Sequence, residues 1–185
     1  METISKNKVG FQKTKIGLIP IDWELSSLKE LCEFKNGKGH EKLIATDGKF
    51  ILVNSKFVSS EGMVKKYVDD CLSPLFKNEI AIVMSDVPNG KAIAKCFYIE
   101  KDSKYTLNQR IGGIEAKKNI NSKFLYYQLD KNSYYLRFDD GVKQTNLRKD
   151  EVLGCPVPLP SISEQTKIAQ ILSAWDQAIL DTQNL

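Results

Sequence analysis

Histidine is almost missing from this sequence: there is one, His40, in 185 residues. A single imidazole excludes any mechanism or metal site that needs two, and it reads as a loop residue rather than a catalyst, which sets hydrolase triads aside. Cysteine is sparse and scattered. Cys32, Cys71, Cys96 and Cys155 are never closer than 25 residues, so the short spacing of a zinc or redox motif is absent and free buried thiols in a reducing compartment are expected. Long apolar runs are missing too. No segment approaches the roughly 20 apolar residues of a membrane helix, and the basic, polar start at residues 1–17 has no apolar core of a secretory signal, so a cytoplasmic chain is expected. Neither a P-loop nor a Gly-rich dinucleotide fingerprint occurs, nor does the Asn/Asp-Pro-Pro-aromatic run of adenine methylases, for which Pro156-Val157-Pro158 is no substitute. Asp69-Asp70 and Asp139-Asp140 are neighbours whose side chains diverge, and they read as solvated turns rather than as a nuclease or glycosidase pair.

What is present is enough to build a core. Apolar residues make up 42% and charged residues 27%, and the length suits one domain with a modest appendage. The net charge of +4 is unevenly placed: from Ser161 onward one base, Lys167, faces three acids, Glu164, Asp176 and Asp181, so the excess of positive charge lies in residues 1–160. A polyanionic partner is permitted there.

The chain opens on a polar arm, and Trp23 is expected to anchor it to the core. Ser26 reads as the cap of a two-turn helix carrying Leu28, Leu31 and Cys32 and ended by Asn36-Gly37. The basic loop after it holds Gly37 and Gly39, which imply bent or closely approached backbone. β-branched and aromatic clusters predict strands at Phe50 to Val58, Glu79 to Ser85, Lys91 to Glu100 and Thr106 to Ala116. Asn89-Gly90 predicts an antiparallel turn between the second and third. Gly112-Gly113 within the last implies a bulge or a close backbone approach. Asn121-Ser122 caps a helix bearing Phe124, Leu125, Gln128 and Leu129, and then Tyr135 and Leu136, with Tyr126, Tyr127 and Tyr134 as boundary residues. A last strand is expected at Val152 to Val157, and Pro156, Pro158 and Pro160 then stiffen the exit.

Ser161 to Glu164 fits a capping box, and nothing interrupts the helix from there to about Asn184, a length of roughly 30 Å. Ile168, Ile171, Leu172, Trp175 and Ile179 fall within about 100° of one another on its surface. This stripe can pack on the helix's own domain or on another helix. The proline segment and the lack of a partner helix favour the second, making these five the expected helix interface. The organisation is therefore a domain at 1–160 and a helix at 161–185.

Four polar stretches carry residue types that read base edges and hold phosphates: Asn54-Ser55-Lys56, Ser85 to Lys91, Asn108-Gln109-Arg110 and Lys143 to Arg148. Each alone is an ordinary solvated loop. Four of them in one basic domain point to nucleic acid.

Residues 14–23 (TKIGLIPIDW), Leu28 and the Gly37-Lys38-Gly39 loop resemble the opening of a target recognition domain from the specificity subunit of type I restriction-modification enzymes. The resemblance continues through residues 51–64 (ILVNSKFVSSEGMV), 85–93 (SDVPNGKAI), 106–114 (TLNQRIGGI) and 124–129 (FLYYQL). It ends on its most specific piece, residues 156–172 (PVPLPSISEQTKIAQIL). It implies an α+β fold, a mixed, mainly antiparallel sheet with flanking helices, followed by a spacer helix. It implies DNA binding without catalysis, first by Lys143, Gln144, Asn146 and Arg148, next by Lys38 and His40, and then by Asn54, Lys56, Asn89, Lys91 and Arg110. The partners implied are an adenine methyltransferase subunit using S-adenosylmethionine and a restriction subunit using ATP and Mg, with no cofactor on this chain.

Family members of the usual kind carry two such domains and two helices. This sequence holds one of each, so it is a fragment or a half-subunit that pairs with a second copy through the helix. Two alternatives stand beside it: a detached specificity module of a fused type II enzyme, and a coiled-coil interaction module that never meets DNA.

Overall fold

The computed structural model describes residues 10–40, 44–87, 90–102 and 104–183. The arm forms a hairpin of β1 (Phe11–Thr14) and β2 (Gly17–Pro20), followed by β3 (Glu24–Ser27). Trp23, expected to anchor the arm to the core, is half-buried, and its indole N–H donates instead to Glu164 Oε1 of the C-terminal helix at 3.3 Å. The expected two-turn helix is a single turn, α1 (Leu28–Leu31), which leads straight into β4 (Cys32–Asn36). The Glu30 carboxylate accepts from the Ser27 N–H and the Ser26 hydroxyl, which fixes the start of the turn, while the antiparallel pairing of residues 32–36 draws the chain out of the helix.

Next come β5 (Ile44–Ala45), β6 (Phe50–Val53), α2 (Ser55–Ser59), β7 (Tyr67–Val68) and β8 (Pro74–Leu75). The strand expected to run to Val58 stops at Val53. Asn54 Oδ1 accepts the Phe57 N–H at 2.9 Å, and this cap turns the β-branched segment into a helix that buries Phe57 and Val58. The middle continues through β9 (Ile80–Val83), β10 (Ser85–Asp86), β11 (Cys96–Tyr98), β12 (Tyr105–Leu107) and β13 (Ile111–Ala116). The single strand expected at 106–116 is thus two, because β12 joins one sheet and β13 another.

β9 and β11 pair antiparallel, as expected, with Ile82 opposite Cys96. Their connection is longer than an Asn-Gly turn, and Asn89 lies outside the described residues. The Asp86 carboxylate closes that connection by accepting from Val87, Ala92 and Ile93 N–H groups.

The last third holds α3 (Ser122–Leu129), α4 (Ser133–Leu136), β14 (Thr145–Asn146), α5 (Lys149–Leu153), β15 (Pro156–Leu159) and α6 (Ile162–Gln183). Asn121 caps α3 as expected. The strand predicted at 152–157 is the end of α5 and the start of β15. Glu151 caps α5 through the Arg148 N–H at 2.7 Å, and the prolines serve in an edge strand paired with β3, where their missing N–H groups cost little.

A four-stranded antiparallel sheet, β11-β9-β13-β4, lies at the centre. Alternation along β9 feeds two cores: Ile80 and Ile82 meet Leu28, Phe124, Leu125 and Tyr135 on the helical side, while Ala81 and Val83 meet Phe57, Leu75 and Leu107. That second core rests on a five-stranded sheet, β5-β7-β6-β12-β8, in which β6 and β12 run parallel. The expected α+β class, mainly antiparallel with flanking helices, holds. All four cysteines are free, and Cys32, Cys96 and Cys155 are buried.

Candidate nucleic-acid interface

The registers of the central sheet place Asn36, Ile111, Val83 and Cys96 at one end of it. The segments that begin at Lys38 and Ser85 and the one at Asn108 to Arg110 border that end, and the other two singled out in the sequence are tied to it by backbone hydrogen bonds. Lys38 follows β4 and bridges to Asn108, its N–H donating to the Leu107 carbonyl at 3.1 Å. Arg110 precedes β13, and its carbonyl accepts from Met84 N–H at 2.9 Å. Asn54 follows β6 beside the same turn, since Asn108 N–H donates to Val53 O at 3.0 Å. The Lys143 to Arg148 loop is drawn in by pairing of β14 with β10 and by a bond from Leu147 N–H to Met84 O at 2.7 Å.

This convergence needs Gly37. A Cβ there would penetrate the carbonyl of Asn108 and crowd that of Ile111, so only glycine lets the exit of β4 lie against the 108–110 turn.

Lys38, Lys56, Lys91, Arg110 and Lys143 are exposed and make no ion pair among the described residues. Arg148 differs: its guanidinium lies 2.8 Å from Glu151, which holds that carboxyl below the usual range and raises the arginine further. Its charge is therefore partly spent within the chain. Asn54 is half-buried and occupied as a helix cap.

His40 is corrected. It is fully buried, with Nδ1 at 2.7 Å from the Lys38 carbonyl and Nε2 at 3.1 Å from the Thr106 hydroxyl. A carbonyl only accepts, so Nδ1 carries the hydrogen, and the ring holds the Lys38 backbone from within rather than reaching a ligand.

In the 139–148 loop the acids act as braces. Asp139 accepts from Gly141 N–H and the Thr145 hydroxyl. Asp140 accepts from Val142 and Lys143 N–H groups, and these bonds lower its carboxyl pKa. Ser85 was not among the residues expected to bind, yet it joins Gln144 and Asn146 in one hydrogen-bonded cluster. Asn108, which belongs to another of the polar stretches singled out in the sequence, packs at the loop junction with its Oδ1 buried and unpartnered among the described residues. Composition marks both stretches, but nothing local tells that Ser85 pairs with Asn146, 61 residues away. Chemically, this end offers free cations for a phosphate backbone and exposed amides for base edges.

α6 has two faces. Gln165, Ala169, Ser173 and Asp176 point to the domain: Gln165 is buried, accepts from Asn121 N–H and donates to Pro160 O, while the Tyr127 hydroxyl donates to Asp176 at 2.6 Å. Burial and Asp176 together push the Tyr127 phenol up to about 12. Ile168 packs against the helical-side core, which takes it out of the expected free stripe. Ile171, Trp175 and Ile179 remain 59%, 66% and 53% exposed, with Leu172 beside them. The helix thus docks by a small, polar face and leaves its apolar one uncovered among the described residues.

Residues 20–185 match the family model described as "Type I restriction modification DNA specificity domain". Two relatives from Methanocaldococcus jannaschii are similar over 91% of this chain: the type I restriction enzyme MjaIX specificity subunit at 29% identity and the MjaVIII specificity subunit at 27%. The chain spans 41% and 43% of their lengths. Among solved structures, the S subunit of a type I restriction-modification system from M. genitalium superposes with a TM-score of 0.67 at 22% identity, covering 89% of this chain and 41% of that one. The HsdS subunit from Thermoanaerobacter tengcongensis gives 0.65 at 14% identity, over 94% and 42%. At such identities the structural likeness concerns the fold.

Proposed function

Because the chain belongs to the type I restriction modification DNA specificity domain family, we propose that it reads one half-site of a bipartite DNA target and directs partner subunits to it. The observation that carries this reading is that the segments bearing Lys38, Lys91, Arg110, Gln144 and Asn146 are tied by backbone hydrogen bonds to one end of a sheet packed on both faces, with Lys56 on α2 just beyond β6. Cations that are not neutralised by neighbours fix register on phosphates, while amides choose among bases.

In this reading the chain is not a catalyst. An adenine methyltransferase subunit with S-adenosylmethionine modifies the site, and a restriction subunit with ATP and Mg cleaves. The uncovered stripe of α6 supports a half-subunit: two copies pair through Ile171, Leu172, Trp175 and Ile179 about a twofold axis. The target of such a pair is a palindrome interrupted by a nonspecific spacer.

The test is to copurify the chain with the products of its neighbouring genes and map N6-methyladenine in host DNA with and without it. Methylation at one interrupted palindrome that disappears on deletion is expected. A methylation pattern indifferent to the deletion refutes the proposal.

A further inference from the structure

Gln144 and Asn146 lie two residues apart on an extended segment, so alternation sets both outward while Thr145 and Leu147 turn inward and are buried. Ser85, the Cα partner of Asn146 across the β10/β14 pair, is buried at their base. Its hydroxyl donates to Asn146 Oδ1 at 2.7 Å, and Gln144 Nε2 lies 3.0 Å from both that hydroxyl and Asn146 Oδ1.

Each amide has one accepting oxygen and one donating nitrogen. A contact between two amides engages the donor of one and the acceptor of the other, which leaves the opposite pair for the outside. Here those are Asn146 Nδ2 as donor and Gln144 Oε1 as acceptor. Turning both amides over exchanges the roles and still leaves one donor beside one acceptor, so the pattern does not depend on how the amides are oriented.

Resting on the reading that this end of the domain meets duplex DNA, we propose that Gln144 and Asn146 together read an adenine in the major groove. Adenine shows an acceptor, N7, next to a donor, the N6 amino group. Guanine shows two acceptors, cytosine a lone donor, and thymine an acceptor beside a methyl. Of the four, only adenine satisfies both outward groups at once. Ser85 is a positioning residue: it holds the Asn146 amide in place and touches no base. The adjoining Lys143, exposed and unpaired among the described residues, supplies the phosphate contact that brings the pair to the groove.

The experiment is selection from randomised duplexes by the full chain, wild type and variant, with folding checked by circular dichroism. The wild type is expected to enrich a motif containing a required adenine, favoured about 5- to 150-fold over other bases there. In Asn146→Asp the outward donor becomes an acceptor. Two acceptors side by side suit the cytosine amino group, so that one position changes from adenine to cytosine. Gln144→Glu reaches the same result by another route, since Asn146 must turn its amino group inward to meet the carboxylate and then presents its oxygen. Ser85→Ala weakens discrimination at that position several-fold while the rest of the motif stands; an equal loss on all sequences would mean a merely structural role and overturn this assignment. The proposal is overturned if both amide variants keep the wild-type motif, or if both lose all binding while folded, because a base contact governs choice rather than attachment. A wild-type chain that enriches no sequence refutes the recognition reading itself, a result distinct from a motif that the substitutions leave alone.

Discussion

Raising salt should weaken DNA binding by an amount the structure sets. Five exposed cations, Lys38, Lys56, Lys91, Arg110 and Lys143, are free of ion pairs among the described residues, whereas Arg148 is held by Glu151. If each of the five neutralises one phosphate, log K falls against log salt with a slope of about −4.5 per copy of the chain, so affinity drops about 500-fold between about 50 and 200 mM salt. Replacing Lys38 and Lys143 by Gln removes two contacts, which brings the slope to about −2.7 and the drop to about 40-fold over the same range. Arg148→Gln changes the slope little, because its charge is already engaged. The assay is fluorescence anisotropy of a labelled duplex titrated with chain at four or five salt concentrations. Parallel lines for the wild type and the double variant would refute the assignment of these lysines to phosphate, whatever the absolute affinity.

Four further outcomes are expected. Trp175→Glu combined with Ile179→Glu should convert a paired chain to the single mass of 20.9 kDa in sedimentation with far-ultraviolet dichroism unchanged, and an unaltered mass would remove the stripe from any interface. Gly37→Ala should cost about 1–3 kcal/mol in thermal or urea unfolding because the new methyl overlaps the Asn108 carbonyl, whereas a neutral result would mean that the loop junction yields easily. Phe124→Ala, at the centre of the helical-side core, should cost about 3–5 kcal/mol by the same measurement. Burial raises the Cys32 and Cys155 thiols from 9.0 to about 12 and about 11. Their neutral form is favoured by folding, so that stability is fully present below pH 9 and is lost as pH rises towards 11–12. Melting temperature should fall across that window, and a Cys32→Ser, Cys155→Ser chain should show a smaller fall.

Features decided locally were legible in the sequence. The Asn121 cap, the opening of α6 at Ser161 and the antiparallel pairing of β9 with β11 all follow from short-range signals, and so did the loops that carry the candidate site. What escaped was decided by competition. Asn54-Ser55 holds cap chemistry inside a run of β-branched residues, and the cap won because a helix there buries Phe57 and Val58. Residues 106–116 read as one strand since nothing in their composition tells that Leu107 pairs with Val53 while Ile111 pairs with Val83. His40 sits in a polar, glycine-rich loop, and its burial depends on Thr106, 66 residues away. For α6 periodicity found the apolar stripe but could not say which face docks, because the docking face sets the polar Gln165, Ser173 and Asp176 beside Ile168 and Ala169.

β9 is buried on both sides, each alternate residue belonging to a different core, so a substitution there disturbs two packed layers together. Beyond its end, Lys91, Gln144 and Asn146 stand in solvent, the two amides bonded to Ser85 and to each other and belonging to neither core. Heritable change is therefore channelled. Descendants of this chain can alter the chemistry these loops present, one exposed residue at a time, without passing through an unstable ancestor.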